Sequence, residues 1–481
     1  MELVTKKAMK CIQEADVIVY DNLIDISLLN YASLNTELIY AGKEAANHYL
    51  SQGSIIELLM DKAREGKYVV RLKGGDPYLF GRGSEEALAL KEAGISYEIV
   101  SGVTSSIAVP AYAGIPVTDR RFVSSCHIIT AHREDEAGID FENISKLEGT
   151  LVFMMGLAKL HHIVQGLTLH GKASDTPVAV LSDGSRYNRR KCVGTLADIE
   201  EKVKEAKLLP PAIIVVGEVV SLSNELDNFL ERYSDKKLFR KKILLTGTRY
   251  ICHKIKAALA DEGCDIDEIS IIESVPIESD FYNNIEKYIE SHDYLVFSSA
   301  NGIRVFFEKL KELHNVDLRK LSNIKFAVIG KGSAQTLRNY GYIADFVPSS
   351  FSNKDLAVEL CKQLKGEKLL LLRAREASTE LVEELEANKV EYTDVSLYET
   401  FRDYRRTFDI KRLIKNYDYV VVASGITAHT LCEMVEDKAV LEGRVVSIGP
   451  VTTGTCKRLG VEPIMSAREY SVDGIVRVLL Q

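Results

Sequence analysis

Short apolar runs alternate with amphipathic stretches along nearly the whole chain. Val17 to Tyr20, Tyr68 to Leu72 and Tyr97 to Val100 read as strands, while Thr5 to Ala15, Ser51 to Glu65 and Glu85 to Ala93 carry helical periodicity. Further strands are predicted over Cys126 to Thr130, Thr150 to Met154, Val178 to Leu181 and Ala212 to Val216. This order of elements predicts an α/β fold with largely parallel sheets.

The punctuation divides the chain. Ala113 to Arg121 is broken by Gly114 and Pro116 and reads as a joint between two subdomains, about 1–115 and 120–232. A polar run from Glu231 to Lys237 precedes the apolar Ile243-Leu244-Leu245-Thr246, which sets the major boundary near residue 236 and a second half over 241–481. That half contains an internal echo. Asp293 to Gly302 resembles Asp418 to Gly425, and Phe326 to Gly330 resembles Val445 to Pro450. Two α/β subdomains facing a central cleft are expected, one over about 241–275 plus 400–481 and one over about 276–398. Each echoed strand ends in small hydroxyl or glycine residues that open a helix, a geometry that either caps the helix or holds an anion on backbone N–H groups.

Composition narrows the classes. An apolar fraction of 46% and a charged fraction of 27% are those of a globular protein. No apolar run approaches the roughly 18 residues needed to cross a bilayer, and no signal peptide is read at the start. A net charge of -8 argues against a nucleic-acid partner, whose phosphates call for clustered Lys and Arg. The 8 cysteines are scattered without CxxC or zinc spacing, which suits reduced residues in the cytoplasm. His161 and His162 are adjacent on a helix and so do not face one another, and no metal site is expected.

The densest chemistry lies in Arg71 to Glu86, RLKGGDPYLFGRGSEE. Gly74 and Gly75 allow a backbone to approach a ligand closely, and Asp76 can bond to that ligand or cap a turn. Asp21, this loop and Ser101-Gly102-Val103-Thr104 all follow strands, and in open α/β sheets ligands sit at the carboxyl ends of strands. Three loops therefore point to one rim.

These residues carry a resemblance. VIVYDNLID, AGKEAANH, VVRLKGGDPYLFGRGSEE, SGVTSSIAVPAYAGIPVTDR, LVFMMGL, TPVAVLSDGS and PPAIIVVGEVV, in that order, resemble the uroporphyrinogen-III C-methyltransferases of the tetrapyrrole methylase family. DYLVFSSANGIRVFF, FAVIGKGSAQTLRNYGY, VSLYETF and VVSIGPVTTGTCKRLGV resemble uroporphyrinogen-III synthase. The resemblance implies a bifunctional chain, a two-subdomain methylase over 1–236 followed by a two-subdomain synthase over 241–481. Such a chain would close hydroxymethylbilane to uroporphyrinogen III and methylate it with S-adenosylmethionine to precorrin-2, on the road to sirohaem and cobalamin. It also suggests a homodimer through the methylase half.

The resemblance further implies residue roles. Asp21 matches a proposed proton acceptor and Lys43 a proposed donor. Gly74, Gly75, Asp76, Leu79, Thr104, Ser105, Met155 and Gly184 match S-adenosylmethionine contacts. The substrate is a polycarboxylate, for which Arg71, Arg82 and Arg120 are candidate partners, and Arg186 to Lys191 reads as a basic turn. In the second half Tyr398 matches a tyrosine near the departing hydroxyl, and Ser298, Ser299, Ser333, Thr452 and Thr453 match hydroxyl-bearing loop positions at the cleft.

The sequence also departs from the family. The methylases open with a strand and a GxGPGD-like loop, and Met1 stands where that loop should end, so both are expected upstream of it. Asn22 and Glu44 replace arginines common in the family. Two other readings stay open: synthase activity alone beside an inactive or scaffolding methylase half, and a methylase acting on RNA or protein.

Overall fold

A computed structural model describes residues 2–42, 50–131, 138–313, 317–350 and 352–481. The first sheet is built on β1 (Val17–Tyr20), whose four apolar side chains are all buried. It pairs in parallel with β2 (Glu37–Tyr40) on one side and β3 (Val69–Leu72) on the other. The helix Gln52–Arg64 starts where the Ser51 hydroxyl accepts from Ser54 N–H at 3.1 Å, and it packs Ile55 and Leu59 onto Val17 and Val19. The strand expected over Tyr97 to Val100 does not form. A strand exists only by its ladder, and among the described residues no strand pairs with the outer edge of β3.

A second sheet holds β4 (Cys126–Thr130), β5 (Thr150–Met154), β6 (Pro177–Ser182), β7 (Arg190–Thr195) and β8 (Ala212–Val216). Their spatial order is β4-β5-β8-β6-β7, and only β4 and β5 run parallel. The expectation of largely parallel sheets thus fails here, because β8 inserts antiparallel between β5 and β6. The expected basic turn is also shorter: Arg190 and Lys191 already belong to β7. Its charges are spent within the fold, with Arg189 stacked 3.7 Å from the Phe229 ring centroid and Lys191 2.7 Å from Asp227.

From Lys242 the chain lays down β9 (Lys242–Gly247) and β10 (Asp265–Ser270), then crosses by β11 (Ile272–Pro276) into another lobe. That lobe contains β12 (Tyr294–Phe297), β13 (Lys325–Val328), β14 (Leu369–Ala374) and the long β15 (Tyr392–Arg402). The chain then returns to the first lobe with β16 (Tyr419–Val422), β17 (Val445–Ser447) and β18 (Met465–Ser466). The two five-stranded sheets are ordered β10-β9-β16-β17-β18 and β11-β15-β14-β12-β13. Only the β11–β15 pairing is antiparallel, and this two-stranded ribbon forms the connection between the lobes.

The two halves share one core. Ile12, Ile18, Tyr20 and Leu28 of the first pack in the same apolar cluster as Leu244, Ile269, Ile410 and Val420 of the second. Within it Arg406, with 1% of its side chain exposed, bonds Asp409 at 3.1 Å, Asn30 Oδ1 at 2.7 Å and the Ile26 carbonyl at 3.2 Å. The phenol of Tyr20 donates to the other oxygen of Asp409 at 3.0 Å. Burial, then the Asp409 charge, pushes that phenol well above its ordinary value near 10.

A buried pair broken on one side leaves an uncompensated charge, so Arg406→Met is expected to cost roughly 3–5 kcal/mol. The measurement is the urea midpoint followed by fluorescence and by circular dichroism, and both halves should lose stability together. Arg406→Met with Asp409→Leu should recover part of the loss, whereas equal loss in single and double variants would deny the pairing. The raised Tyr20 value adds a pH dependence: its contribution is present below pH about 10, where the unfolded phenol titrates, and is lost as pH rises through the higher folded value. Wild type should therefore weaken above pH about 10 more than Tyr20→Phe does.

Candidate active sites

In the first half the loops after β1 and β3 and the loop before the helix Ser105–Tyr112 meet backbone to backbone. A Cβ on Gly74 would stand 2.7 Å from the Leu23 carbonyl oxygen, and one on Gly102 would stand 2.2 Å from that of Gly75. Only glycine allows either approach. Gly75 itself has φ +80°, with open space where a side chain would project. The Asp76 carboxylate ties the loops together, accepting from Tyr78 N–H at 2.9 Å and from Gly102 N–H at 3.1 Å. Of the two roles read for Asp76, the turn-capping one is thus visible in the fold.

A cavity of about 2150 Å³ opens beside these loops. Gly74, Gly75 and Ser105 line it from the first sheet's rim, and Met155 and Gly184 reach it from loops of the second sheet. Asp76, Leu79 and Thr104 stand behind this lining: the Leu79 N–H bonds the Asp76 carbonyl at 3.2 Å, and the Thr104 hydroxyl caps the helix that Ser105 opens. Phe80, Arg82, Met155 and Asp183 all hold left-handed backbone, with φ between 51° and 58°. Such conformations are costly for side-chain-bearing residues and gather where surrounding structure enforces a shape.

A chain of charges runs from Lys73, Glu86 and Arg71, which line the cavity, back to Asp21, which does not. Asp21 accepts from Leu23 N–H at 2.9 Å and from the Arg71 guanidinium at 3.1 Å. Arg71 also donates to the Val19 and Leu72 carbonyls, and its Nε lies 3.5 Å from Glu86. Glu86 is buried and receives Lys73 at 2.7 Å and Gln52 at 3.0 Å. Burial lowers the Lys73 ammonium's pKa, and Glu86 works against that fall. Glu86 escaped the sequence reading, since nothing in Gly83-Ser84-Glu85-Glu86 tells the buried acid from its neighbour, which pairs with Arg82 at the surface at 2.7 Å. Neither Arg82 nor the exposed Arg120 lines the cavity, so the geometry does not bring these expected substrate partners to it. Lys43 lies outside the described residues.

The far wall of this cavity comes from the second half, through residues such as Lys256, Asp267 and Tyr417. The Tyr417 phenol donates to Asp267 at 2.8 Å, and burial raises its pKa well above the ordinary value.

In the second half β12, β13, β16 and β17 each run straight into a helix, beginning at Ala300, Lys331, Gly425 and Pro450. The internal echo of the sequence is therefore an echo of strand–helix corners. Ser299 caps the first, accepting from Gly302 N–H at 3.0 Å, and its hydroxyl meets the Tyr398 phenol at 2.8 Å. Tyr398 sits on the β15 side of the ribbon between the lobes, opposite Pro276, and is buried. Burial raises its pKa, while the Ser299 bond and the Arg304 charge pull the other way. Ser298 lies half-buried at the end of β12.

The remaining hydroxyls differ from expectation. Ser333, Thr452 and Thr453 are not loop residues but belong to the first turns of the helices Lys331–Arg338 and Pro450–Arg458. Ser333 and Thr452 are buried, and the Thr453 hydroxyl is engaged by Ser447 at 2.7 Å and Ser466 at 2.6 Å within its own lobe. Once these helices start, their second to fourth positions include the face that packs on the sheet. Among the described residues no three His, Cys, Asp or Glu side chains are grouped to hold a metal ion, and no helix is long and apolar enough to cross a membrane.

A glycine-walled cavity at the carboxyl ends of one sheet and a Tyr398–Ser299 pair beside the ribbon that joins two α/β lobes are two candidate sites in one α/β chain. Comparison with known proteins supports both parts. Residues 1–200 match the model of the tetrapyrrole (corrin/porphyrin) methylases, and residues 253–477 match that of uroporphyrinogen-III synthase HemD. A porphyrin biosynthesis protein HemD of Ruminiclostridium josui is 34% identical over 486 aligned residues, covering 100% of this chain and 95% of the relative. The uroporphyrinogen-III C-methyltransferase of Methanocaldococcus jannaschii is 49% identical over 223 residues, 46% of this chain and 92% of that one. The solved uroporphyrin-III C-methyltransferase of Thermus thermophilus, complexed with S-adenosyl homocysteine, is 33% identical over 46% of this chain and 94% of its own, with a TM-score of 0.40. The chain belongs to the family of fused tetrapyrrole methylases and uroporphyrinogen-III synthases.

The glycine contacts are testable without any ligand. Gly102→Ala forces a methyl against a backbone carbonyl that no rotamer change can move, and overpacking of this kind costs about 1–3 kcal/mol. A lowered urea midpoint is expected for Gly102→Ala, and none for Gly454→Ala, where a Cβ would meet nothing within 4 Å. Equal midpoints for Gly102→Ala and wild type would refute the close approach.

Proposed function

We propose that this chain performs two consecutive steps of tetrapyrrole biosynthesis. Its second half closes hydroxymethylbilane to uroporphyrinogen III, and its first half methylates that product with S-adenosylmethionine to precorrin-2. The observation that carries the reading is the presence in one chain of the glycine-walled cavity, with Asp21 held behind its lining by Arg71, and of the Tyr398–Ser299 pair beside the ribbon that joins two lobes. Similarity to the Ruminiclostridium josui relative across the full chain supports it.

The cavity suits S-adenosylmethionine. Gly75 presents bare left-handed backbone to open space, and Gly74, Ser105, Met155 and Gly184 share the same lining. These residues would hold the cofactor, with Asp76, Leu79 and Thr104 fixing the loops behind them. When bound, the cofactor supplies an electrophilic methyl group. Transfer to a ring carbon is a displacement that depends on positioning. The chain's part is to align the reactants and take the proton the ring loses, a role that falls to Asp21, whose carboxylate Arg71 holds in one orientation. Lys43 is the proposed donor.

In the cleft, burial disfavours the charged form of Tyr398 and raises its pKa, so the neutral phenol can donate a hydrogen bond to the departing hydroxyl. Ser299 fixes the phenol's direction. Ser298 and Ser299, at a helix start, offer polar groups to the substrate's carboxylates; Ser333, Thr452 and Thr453 shape the helices at the other corners.

The test supplies hydroxymethylbilane and S-adenosylmethionine to the purified chain and follows uroporphyrinogen III by chromatography and precorrin-2 by absorbance. Asp76→Ala should abolish methylation while sparing cyclisation. Tyr398→Phe should slow cyclisation by about 10- to 100-fold and leave methylation of supplied uroporphyrinogen III intact. Wild-type cyclisation should show no loss traceable to a phenol below pH about 10. Wild type that yields neither product would overturn the reading.

A further inference from the structure

We infer that Arg304 anchors a carboxylate of the linear tetrapyrrole in the synthase cleft, an inference that rests on the reading of the second half given above. Arg304 projects from the helix Ala300–Glu312, just beyond the Ser299 cap. Its guanidinium carbon lies 3.6 Å from the ring centroid of Tyr250, which belongs to the helix Arg249–Ala258 of the other lobe. One terminal nitrogen, Nη2, donates to Asn301 Oδ1, and Asn301 is itself tied to Ser274 of β11 at 3.0 Å. The other, Nη1, is buried and has no hydrogen-bond partner among the described residues.

The electrostatics sharpen the point. None of the ion pairs among the described residues includes Arg304, although it is a cation in a partly buried site. Glu273, Glu308 and the phenols of Tyr250 and Tyr340 exert charge on it from the surrounding elements, yet burial is the larger effect and lowers its pKa. Glu273 is raised by its own burial and faces Arg249, which takes up part of its charge. A buried N–H that is left unpaired is costly, and a guanidinium fork pairs best with a carboxylate. The stack on Tyr250 and the Asn301 bond hold the fork rigid, so the ligand need not order it. Arg304 also acts on the phenol of Tyr398, which places the anchor in the same corner as the Tyr398–Ser299 pair. A substrate carboxylate bound there would hold its pyrrole beside the group that meets the departing hydroxyl.

A purely structural role, as a clasp between lobes, is the competing explanation, and steady-state kinetics separates the two. For Arg304→Met the KM for hydroxymethylbilane should rise about 10- to 100-fold, the range of one charge-assisted contact, with kcat within about threefold of wild type. Arg304→Lys keeps the charge without the fork and should recover part of the KM. The KM of wild type should rise with added salt more steeply than that of Arg304→Met. If Arg304→Met does not fold, Arg304→Gln and Arg304→Lys carry the same KM comparison. An unchanged KM in the folded neutral variants, or a fall in kcat alone, would overturn the anchor. Wild type that makes no uroporphyrinogen III would overturn the synthase reading and the anchor together, whereas an active wild type with unchanged neutral variants would overturn the anchor only.

Discussion

A guanidinium closed off from water has to be answered in full, and Arg406 is answered from both halves of the chain at once. Asp409 comes from its own half, while Asn30 and the Ile26 carbonyl come from the other. Around it Ser27 and Asn30 bond the backbone of β10, and Arg405 reaches the carbonyls of Ser33 and Thr36. Apolar burial supplies the attraction across this junction, and the polar network fixes its register, because any slip leaves a buried charge unpaired. The far wall of the glycine-lined cavity is set by that register, since Asp267 and Tyr417 belong to the docked half.

The two sites solve different physical problems with different devices. At the first, glycines let three loops touch through their backbones, and a carboxylate, Asp76, locks them. The result is a shaped wall with the charge chain Asp21–Arg71–Glu86–Lys73 beneath it. At the second, the shape comes from two lobes joined by the β11–β15 ribbon, with strand–helix corners on each lobe. Tyr398 sits on the ribbon itself, so its place depends on how the lobes are joined.

Much of the first site was legible because its signals are local. Gly74 and Gly75 follow an apolar strand, and Thr104 and Ser105 open a helix, so sequence spacing alone puts them at strand ends. What was not legible depended on contacts distant in sequence. Glu85 and Glu86 are identical in type and adjacent, yet one pairs at the surface and the other is buried under Arg71, 15 residues away. Arg82 and Arg120 carried the right charge but do not line the cavity. Ser333 and Thr452 matched a motif, and their burial followed only from the face their helices turn to the sheet.

By itself the sequence determined the alternation of strands and helices, the glycine loops, the internal echo in the second half and the family. These follow from periodicity, backbone permissiveness and the order of motifs, all of which act over short stretches. Tertiary structure alone decided that β8 inserts antiparallel, that residues 97–100 stay unpaired as a strand, that one core spans both halves, and that Arg304 stands stacked on Tyr250 with a buried nitrogen unmet. Strand pairing, burial and charge compensation are each set by a neighbour that the local sequence does not name.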